Sequence, residues 1–326
     1  MNGKENIPIL RLRGLNKSFS TGIFRKKSIR VIDNVDLDVN AGEIHGIVGE
    51  SGAGKTTLAR CSLRLLEPSS GSIQFNGEEL TRLDAGALRA RRREFQMVFQ
   101  DSAVSLNPAM TVEQILMEPL QIHKLGDRDF RLSRIRESME AVSLSASLMQ
   151  RRPAELSGGQ RQRVGIARGL ILKPKLVIAD EPVSALDASV QAQTLNLLAD
   201  LRRQYGHTLI LISHSLSALH YLCTHISVLY KGSLVEEAPA SVFFDKPRHP
   251  YSKTLLEATR VLAPGKGAGS EAPSVATSFA LPPESGCAFH PYCADKLSIC
   301  TRQTPRLNEI AERERVACFL YSQHSP

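Results

Sequence analysis

Gly49-Glu-Ser-Gly-Ala-Gly-Lys55-Thr56-Thr57 carries the chemistry easiest to read in this chain, because it satisfies G-x-x-x-x-G-K-[ST], the phosphate-binding P-loop. Glycines let the backbone curl so that successive N–H groups point inward at phosphate oxygens. The N-terminus of the helix that follows adds a favourable dipole. Gly49, Ser51, Gly52, Gly54, Lys55, Thr56 and Thr57 are therefore the candidate phosphate contacts. Lys55 should reach the β- and γ-phosphates, and the Thr56 hydroxyl should hold Mg²⁺.

Leu176-Val-Ile-Ala-Asp180-Glu181-Pro182 supplies a partner element. Four apolar residues form a central strand, and Asp180 at its C-terminal end can bind Mg²⁺ where open α/β sheets place their ligands. Glu181 is then positioned to polarise an attacking water as general base. By itself a strand ending in Asp-Glu is an ordinary strand followed by a polar turn; behind a P-loop it becomes a site. A second anion site lies at Leu156-Ser157-Gly158-Gly159-Gln160, where Ser157 and the glycine pair open a periodic helix running through Arg168. One chain has no evident use for two such sites unless the second serves a neighbour.

The elements that must position these groups follow from periodicity. Residues 31–39 (VIDNVDLDV) alternate apolar and polar, as a half-buried antiparallel strand does. Ile44 to Val48 runs straight into the glycine-rich turn, and Lys55 to Leu66 reads as a helix stopped by Glu67-Pro68. Residues 101–172 are mostly helical; from 176 onward, strands (176–179, 207–212) alternate with helices (189–205). The expected fold class is α/β, with a parallel sheet covered by helices on both faces. Residues 263–285, rich in Pro, Gly, Ser and Ala, have linker composition. The expected organisation is thus one nucleotide-binding domain over 1–262, a linker over 263–285, and a small cysteine-rich module over 286–326. No internal repeat suggests a second nucleotide domain.

Composition sets outer bounds. The 326 residues, 42% hydrophobic and 23% charged, are those of a folded globular chain rather than a disordered one. No apolar run approaches the ~18–20 residues that cross a bilayer, and the N-terminus MNGKENIPIL lacks the pattern of a secretory signal. The chain is expected to stay in the cytoplasm, with any membrane association made through partners. A net charge of +8 suits nucleic acid, an anionic membrane surface or nucleotide phosphates alike, and does not choose among them. Arg89 to Arg93 (RARRR) reads first as a solvated basic helix end and second as a contact for anionic lipid headgroups. Of six cysteines, Cys61 and Cys223 sit in apolar segments as packed thiols, whereas Cys287, Cys293, Cys300 and Cys318 crowd the tail. In a reducing compartment that cluster favours metal or cofactor ligation over disulfides.

With LSGGQ at 156–160 added to the P-loop and the Asp-Glu strand, the sequence resembles the ABC (ATP-binding cassette) ATPases over residues 9–260. The resemblance implies a P-loop, RecA-like core with an antiparallel β-subdomain and an inserted helical subdomain. It assigns roles to residues that carry no signal alone. Phe19 matches the aromatic that stacks on adenine, and Gln100 the glutamine lining the water and Mg²⁺. Asp187 belongs to the loop Ser184-Ala-Leu-Asp187 that contacts the dimer partner, and His214 matches the switch histidine on the γ-phosphate. It also implies a head-to-tail dimer in which Ser157, Gly158, Gly159 and Gln160 act on the nucleotide of a second ATPase subunit.

Within that family, Cys287-x5-Cys293-x6-Cys300-x17-Cys318, Arg248-His-Pro-Tyr251 and Ser105-Leu-Asn-Pro108 look like the oligopeptide and dipeptide importer ATPases, a pattern shared with nickel and glutathione importers. This implies two transmembrane permease subunits and, indirectly, an extracytoplasmic peptide-binding protein as partners, with the chain peripheral on the cytoplasmic side of the bacterial cell membrane. It also implies a [4Fe–4S] cluster on the four tail cysteines, with Zn²⁺ as the rival, since four thiolates suit either centre. A DNA-repair or ribosome-acting ABC protein is the competing class. The short helical stretch between Gln100 and Leu156, without a coiled-coil or DNA-binding insertion, points instead to docking on a membrane subunit and to no nucleic-acid partner. A non-hydrolytic regulatory subunit is opposed by the presence of Lys55, Asp180, Glu181 and His214 together.

Overall fold

The computed structural model describes residues 8–21, 27–100, 105–184, 187–261 and 285–324. Five strands run parallel, in spatial order β6 (Phe95–Val98), β7 (Leu176–Asp180), β8 (Thr208–Ile212), β3 (Ile44–Val48) and β9 (His225–Tyr230). Every residue of β3, β7, β8 and β9 is buried, as a parallel sheet covered on both faces requires. The period-two alternation of these strands splits the core. Val177, Ala179, Leu209 and Leu211 face one apolar cluster, while Leu176, Ile178, Ile210 and Ile212 face the other.

The second cluster is closed by α1 (Lys55–Ser62), α2 (Ala85–Arg91) and a four-stranded antiparallel sheet. Its order is β2 (Lys27–Val39), β1 (Leu10–Thr21), β4 (Ser70–Phe75) and β5 (Glu78–Glu79). On the other side, α3 (Val112–Ile122), α4 (Arg128–Ala141) and α5 (Gly158–Leu170) pack on one another as a helical arm. Its entries are sharply defined. Thr111 and Gln114 form a reciprocal capping box on α3, and Asp127 accepts the Phe130 N–H at the start of α4. α6 (Ala188–Tyr205), α7 (Leu216–Leu222), α8 (Ala240–Asp245) and α9 (Pro250–Val261) complete the α-helices among the described residues.

Two features differ from the sequence reading. α1 stops at Ser62 rather than Leu66, because Arg64 adopts a left-handed φ of 50° and the Leu65 and Leu66 N–H groups fold back on the Arg60 carbonyl. The Arg64 guanidinium, bonded to the Leu80 and Leu83 carbonyls at 2.7 and 2.6 Å, holds that turn in place. The cysteine-bearing tail also does not stand apart from the core. β10 (Ser233–Pro239) pairs antiparallel with β9, β12 (Glu314–Val316) pairs with β10, and β11 (Asn308–Ala311) with β12, so the tail extends the central sheet to eight strands. A three-residue strand has too little periodicity to be read in sequence; what recruits it is the free edge of β10.

Charge fixes the same junction. Arg313 reaches Glu43 at 2.7 Å and Arg315 reaches Glu237 at 2.6 Å, both carboxylates lying on the core. Buried His45 bridges Glu43 and Ser227 at 2.7 and 2.8 Å. Burial alone would raise the Glu43 pKa, but the His45 hydrogen bond and charge, joined by Arg313, bring it down to about 2.

Candidate functional site

The glycine-rich turn joins β3 to α1 and lies at the C-terminal end of the parallel strands. Two of its glycines are required by geometry. A Cβ on Gly49 would fall 2.2 Å from the Leu229 carbonyl oxygen, and Gly54 combines φ of 104° with a Cβ position 2.8 Å from the Val31 oxygen. Ser51 and Gly52 are exposed, Thr56 and Thr57 half-buried, and Lys55 buried. The Lys55 ammonium donates to the Gly49 and Glu50 carbonyls at 2.8 and 2.9 Å. Burial lowers its pKa, an effect opposed by the carboxylates of Glu181, Asp180 and Glu50.

Asp180 ends β7 beside this turn at 2% exposure. The Thr56 side chain reaches toward its carboxylate and favours its charged form, while burial, the larger effect, raises its pKa. Among the described residues Oδ1 of Asp180 is buried without a hydrogen-bond partner. An orphaned carboxylate oxygen next to a threonine hydroxyl is a hard oxygen donor set, the kind that Mg²⁺ takes.

Glu181 follows in a left-handed conformation, φ 45°, with its N–H on the Ile212 carbonyl at 2.9 Å. Its Oε2 receives Gln100 Nε2 at 3.0 Å and faces His214 Nδ1 at 3.3 Å. Residues following β6, β7 and β8 thus meet on one carboxylate. Phe19, on β1, is 38% exposed with the Lys17 ammonium 5.0 Å from its ring centroid. Its ring is accessible, and the neighbouring strand β2 touches the glycine turn through Val31.

The remaining expected residues are held elsewhere. Ser157 caps α5: its Oγ accepts the Gln160 N–H at 3.2 Å, and its own N–H reaches Gln160 Oε1 at 2.9 Å. Ser157 and Gly158 are exposed. No hydrogen bond or ion pair among the described residues joins this helix end to the Lys55–Glu181 group. Asp187 caps α6 through the Val190 N–H at 3.0 Å; Ala185 and Leu186 of the same loop lie outside the described residues. A side chain missed in the sequence reading is Tyr251, whose hydroxyl accepts the Glu50 N–H at 3.0 Å. It lies 201 residues from its partner, and only the Arg248–Tyr251 tetrad hinted at it.

Cys287, Cys293, Cys300 and Cys318 all line one small cavity, together with His249, Phe289 and Asp295. Backbone N–H groups address the sulfurs: Phe289 and His290 on Cys287, Asp295 on Cys293, Leu297 on Cys300 and Leu320 on Cys318. Among the described residues, however, no three His, Cys, Asp or Glu side chains converge on a point that a single metal ion could take.

Known proteins agree with this architecture. Residues 32–184 match the ABC transporter family, and residues 235–300 match the oligopeptide/dipeptide transporter C-terminal region. A Brucella ovis protein, provisionally named a peptide import ATP-binding protein, is 42% identical over 314 residues, covering 96% of this chain and 98% of its own. This chain belongs to the ABC transporter family. The oligopeptide transport ATP-binding protein AppF of Bacillus subtilis is 40% identical over 323 residues, covering 96% of this chain and 98% of its own. Among solved structures, the ATP-binding cassette MJ0796, a dimer bound to ADP and phosphate, superposes with a TM-score of 0.65 at 29% identity, over 71% of this chain and 98% of that one. As a member of this family the chain is an ATPase. No helix among the described residues is long and apolar enough to cross a membrane.

Proposed function

We propose that this chain is the ATP-hydrolysing subunit that energises peptide import at the cytoplasmic face of a cell membrane. The observation that carries the chemistry is the meeting of Gln100 and His214 on one oxygen of Glu181, beside Lys55 and Asp180. The Lys55 ammonium and the N–H groups of Gly49, Ser51, Gly52, Gly54, Lys55, Thr56 and Thr57 hold the phosphates. Glu181 takes the proton of the attacking water, while Gln100 and His214 fix its carboxylate and follow the γ-phosphate. Thr56, Asp180 and Gln100 would hold Mg²⁺, which supplies charge neutralisation on the phosphate oxygens when bound. Phe19 offers its exposed ring to the base.

The exposed start of α5 and the Asp187 cap face outward because their nucleotide belongs to a second ATPase subunit. A groove of about 620 Å³ between the core and the helical arm fits a cytoplasmic segment of one of two permease subunits. Leu65 and Phe99 give it apolar lining, and Arg60, Glu118 and Arg168 give it charge. An extracytoplasmic binding protein delivers the peptide to those permeases. The names of the curated relatives and the match over 235–300 support peptide as the cargo.

The four tail cysteines would hold a [4Fe–4S] cluster, which supplies a covalent clamp for the tail and no step of hydrolysis. Four thiols around one cavity, each with an N–H aimed at its sulfur, support ligation of a shared centre. Zn²⁺ on the same thiols is the alternative, and metal analysis of the purified protein separates the two.

Vesicles carrying this chain with its permeases and binding protein test the reading. ATP-dependent uptake of a labelled oligopeptide, abolished by Glu181→Gln, is expected. Uptake of nickel or glutathione but not peptide would reassign the cargo, and hydrolysis stimulated by DNA but not by permeases would overturn the transport role.

A further inference from the structure

Behind the phosphate loop lies an aromatic block that touches none of the groups assigned to nucleotide. At its centre is Tyr251, in the first turn of α9 and 1% exposed. Its ring lies 4.5 Å from that of Tyr230 and 5.5 Å from that of Phe289. Phe289, 2% exposed and two residues beyond Cys287, also meets Tyr230 edge-on at 5.5 Å. The backbone of Tyr251 is tied as firmly as its ring. Its N–H donates to Nδ1 of His249 at 3.0 Å, and the Arg248 and His249 N–H groups both donate to Glu236 of β10 at 2.8 Å. The tyrosine hydroxyl is therefore a fixed point, set by the sheet edge on one side and the cysteine-bearing tail on the other.

That fixed point accepts the Glu50 N–H at 3.0 Å. Glu50 begins the turn: its carbonyl accepts the Ala53 N–H at 3.1 Å, and the Ala53 carbonyl accepts the Gly232 N–H at 2.9 Å. Rotation of the Glu50 peptide would tilt the start of the turn and the N–H groups next to it. The Tyr251 bond opposes that rotation from outside the loop.

We propose that Tyr251 is a positioning residue for the phosphate loop, its hydroxyl holding the Glu50 peptide in the orientation that aims the following N–H groups at nucleotide phosphates. The cysteine-bearing tail thereby contributes to nucleotide affinity through Phe289, with no contact of its own to the nucleotide. The proposal rests on residues 49–57 being the phosphate site.

The test compares the full-length chain with its Tyr251→Phe and Lys55→Ala variants, using MgATP as the probe. Tyr251→Phe deletes one oxygen and keeps the ring packing. The loss of one hydrogen bond should raise both KM and Kd for ATP about three- to tenfold, with kcat within about twofold and a thermal midpoint within a few degrees of the parent. A purely structural tyrosine would lower the midpoint and leave KM alone. Unchanged KM and Kd in Tyr251→Phe, while Lys55→Ala abolishes binding, would overturn this proposal and leave the phosphate site standing. Full ATP binding by Lys55→Ala would overturn the phosphate-site reading and this proposal with it.

Discussion

His214 Nδ1 stands 3.3 Å from Oε2 of Glu181, the same oxygen on which Gln100 Nε2 sits at 3.0 Å. That shared oxygen turns three separate strand ends into one device around a single base. A glutamine at 181 keeps the shape and the hydrogen-bonding capacity of the side chain but has no basic oxygen. Glu181→Gln should bind ATP as the parent does and lose about 10²- to 10⁴-fold in kcat, leaving a closed dimer that fails to turn over. Steady-state hydrolysis with a parallel binding titration checks this; an unchanged kcat removes Glu181 from the role of base.

The glycine turn makes a second prediction through a pair of similar residues. Gly52 and Gly54 both have positive φ, 82° and 104°, so a side chain is strained at either. Only Gly54 is also crowded, its Cβ position lying 2.8 Å from the Val31 oxygen, whereas nothing lies within 4 Å at Gly52. Gly52→Ala should therefore cost about 1 kcal/mol of stability, and Gly54→Ala roughly 2 to 3 kcal/mol more. ATP affinity should fall further in the second than in the first. Urea unfolding and ATP titration read the two effects, and equal behaviour of the variants would show that the β2 contact does not shape the loop.

The legible part of this protein was its local part. The glycine-rich turn before a helix, the strand ending at Asp180 and the helix opening after Ser157 are each runs of a few adjacent residues whose conformation depends on neighbours in sequence, and the structure has a turn, a strand end and a helix start at those places. Gln100 and His214 carried no signal by themselves, since their meaning lies in a common partner 81 and 33 residues away, and family resemblance alone supplied them. The Tyr251 contact to Glu50 and the β10–β12 pairing left no sequence signal for the same reason. A hydroxyl that accepts one N–H and a strand of three residues leave no periodic trace, because what selects them is a surface assembled from distant segments. The early end of α1 was obscured differently. Its apolar pattern continues to Leu66, but Arg64 satisfies two carbonyls by leaving the helix.

Glu43 gives the junction between core and tail a pH dependence. Its folded pKa, about 2, lies below the ordinary value of 4.5 because His45 and Arg313 favour the charged carboxylate over the opposing effect of burial. A depressed carboxylate contributes its stability in full above the unfolded pKa and loses it as pH falls through the folded one. The window is therefore pH 4.5 down to 2, and the contribution is on the order of 3 kcal/mol. Unfolding free energy measured across that window should fall more steeply for the parent than for Glu43→Gln. Parallel slopes would mean that the Arg313 and His45 contacts do not distinguish the charged form.

The tail cysteines make the last prediction, which separates ligand from packing. Cys300 is nearly buried, its Sγ accepts the Leu297 N–H at 3.4 Å, and its carbonyl accepts the Cys287 N–H at 2.8 Å, so both its sulfur and its backbone shape the cavity. Cys61 is fully buried in the other apolar cluster, where burial pushes its thiol up to about 11 and no cluster chemistry is expected. Serine at either position adds a comparable polar change, but only at 300 does it remove a thiol that the proposed cluster would use. Protein purified without oxygen should carry iron and acid-labile sulfide in equal amounts in the parent and in Cys61→Ser, and lose most of both in Cys300→Ser. Chelation of that iron should expose the tail to protease ahead of the core, since β12 is only three residues long and the Arg313 and Arg315 bridges would be left to hold it. Iron absent from the anaerobic parent would show that the four thiols are packing groups and that the sheet edge secures the tail, and iron retained in full by Cys300→Ser would remove Cys300 from the ligand set.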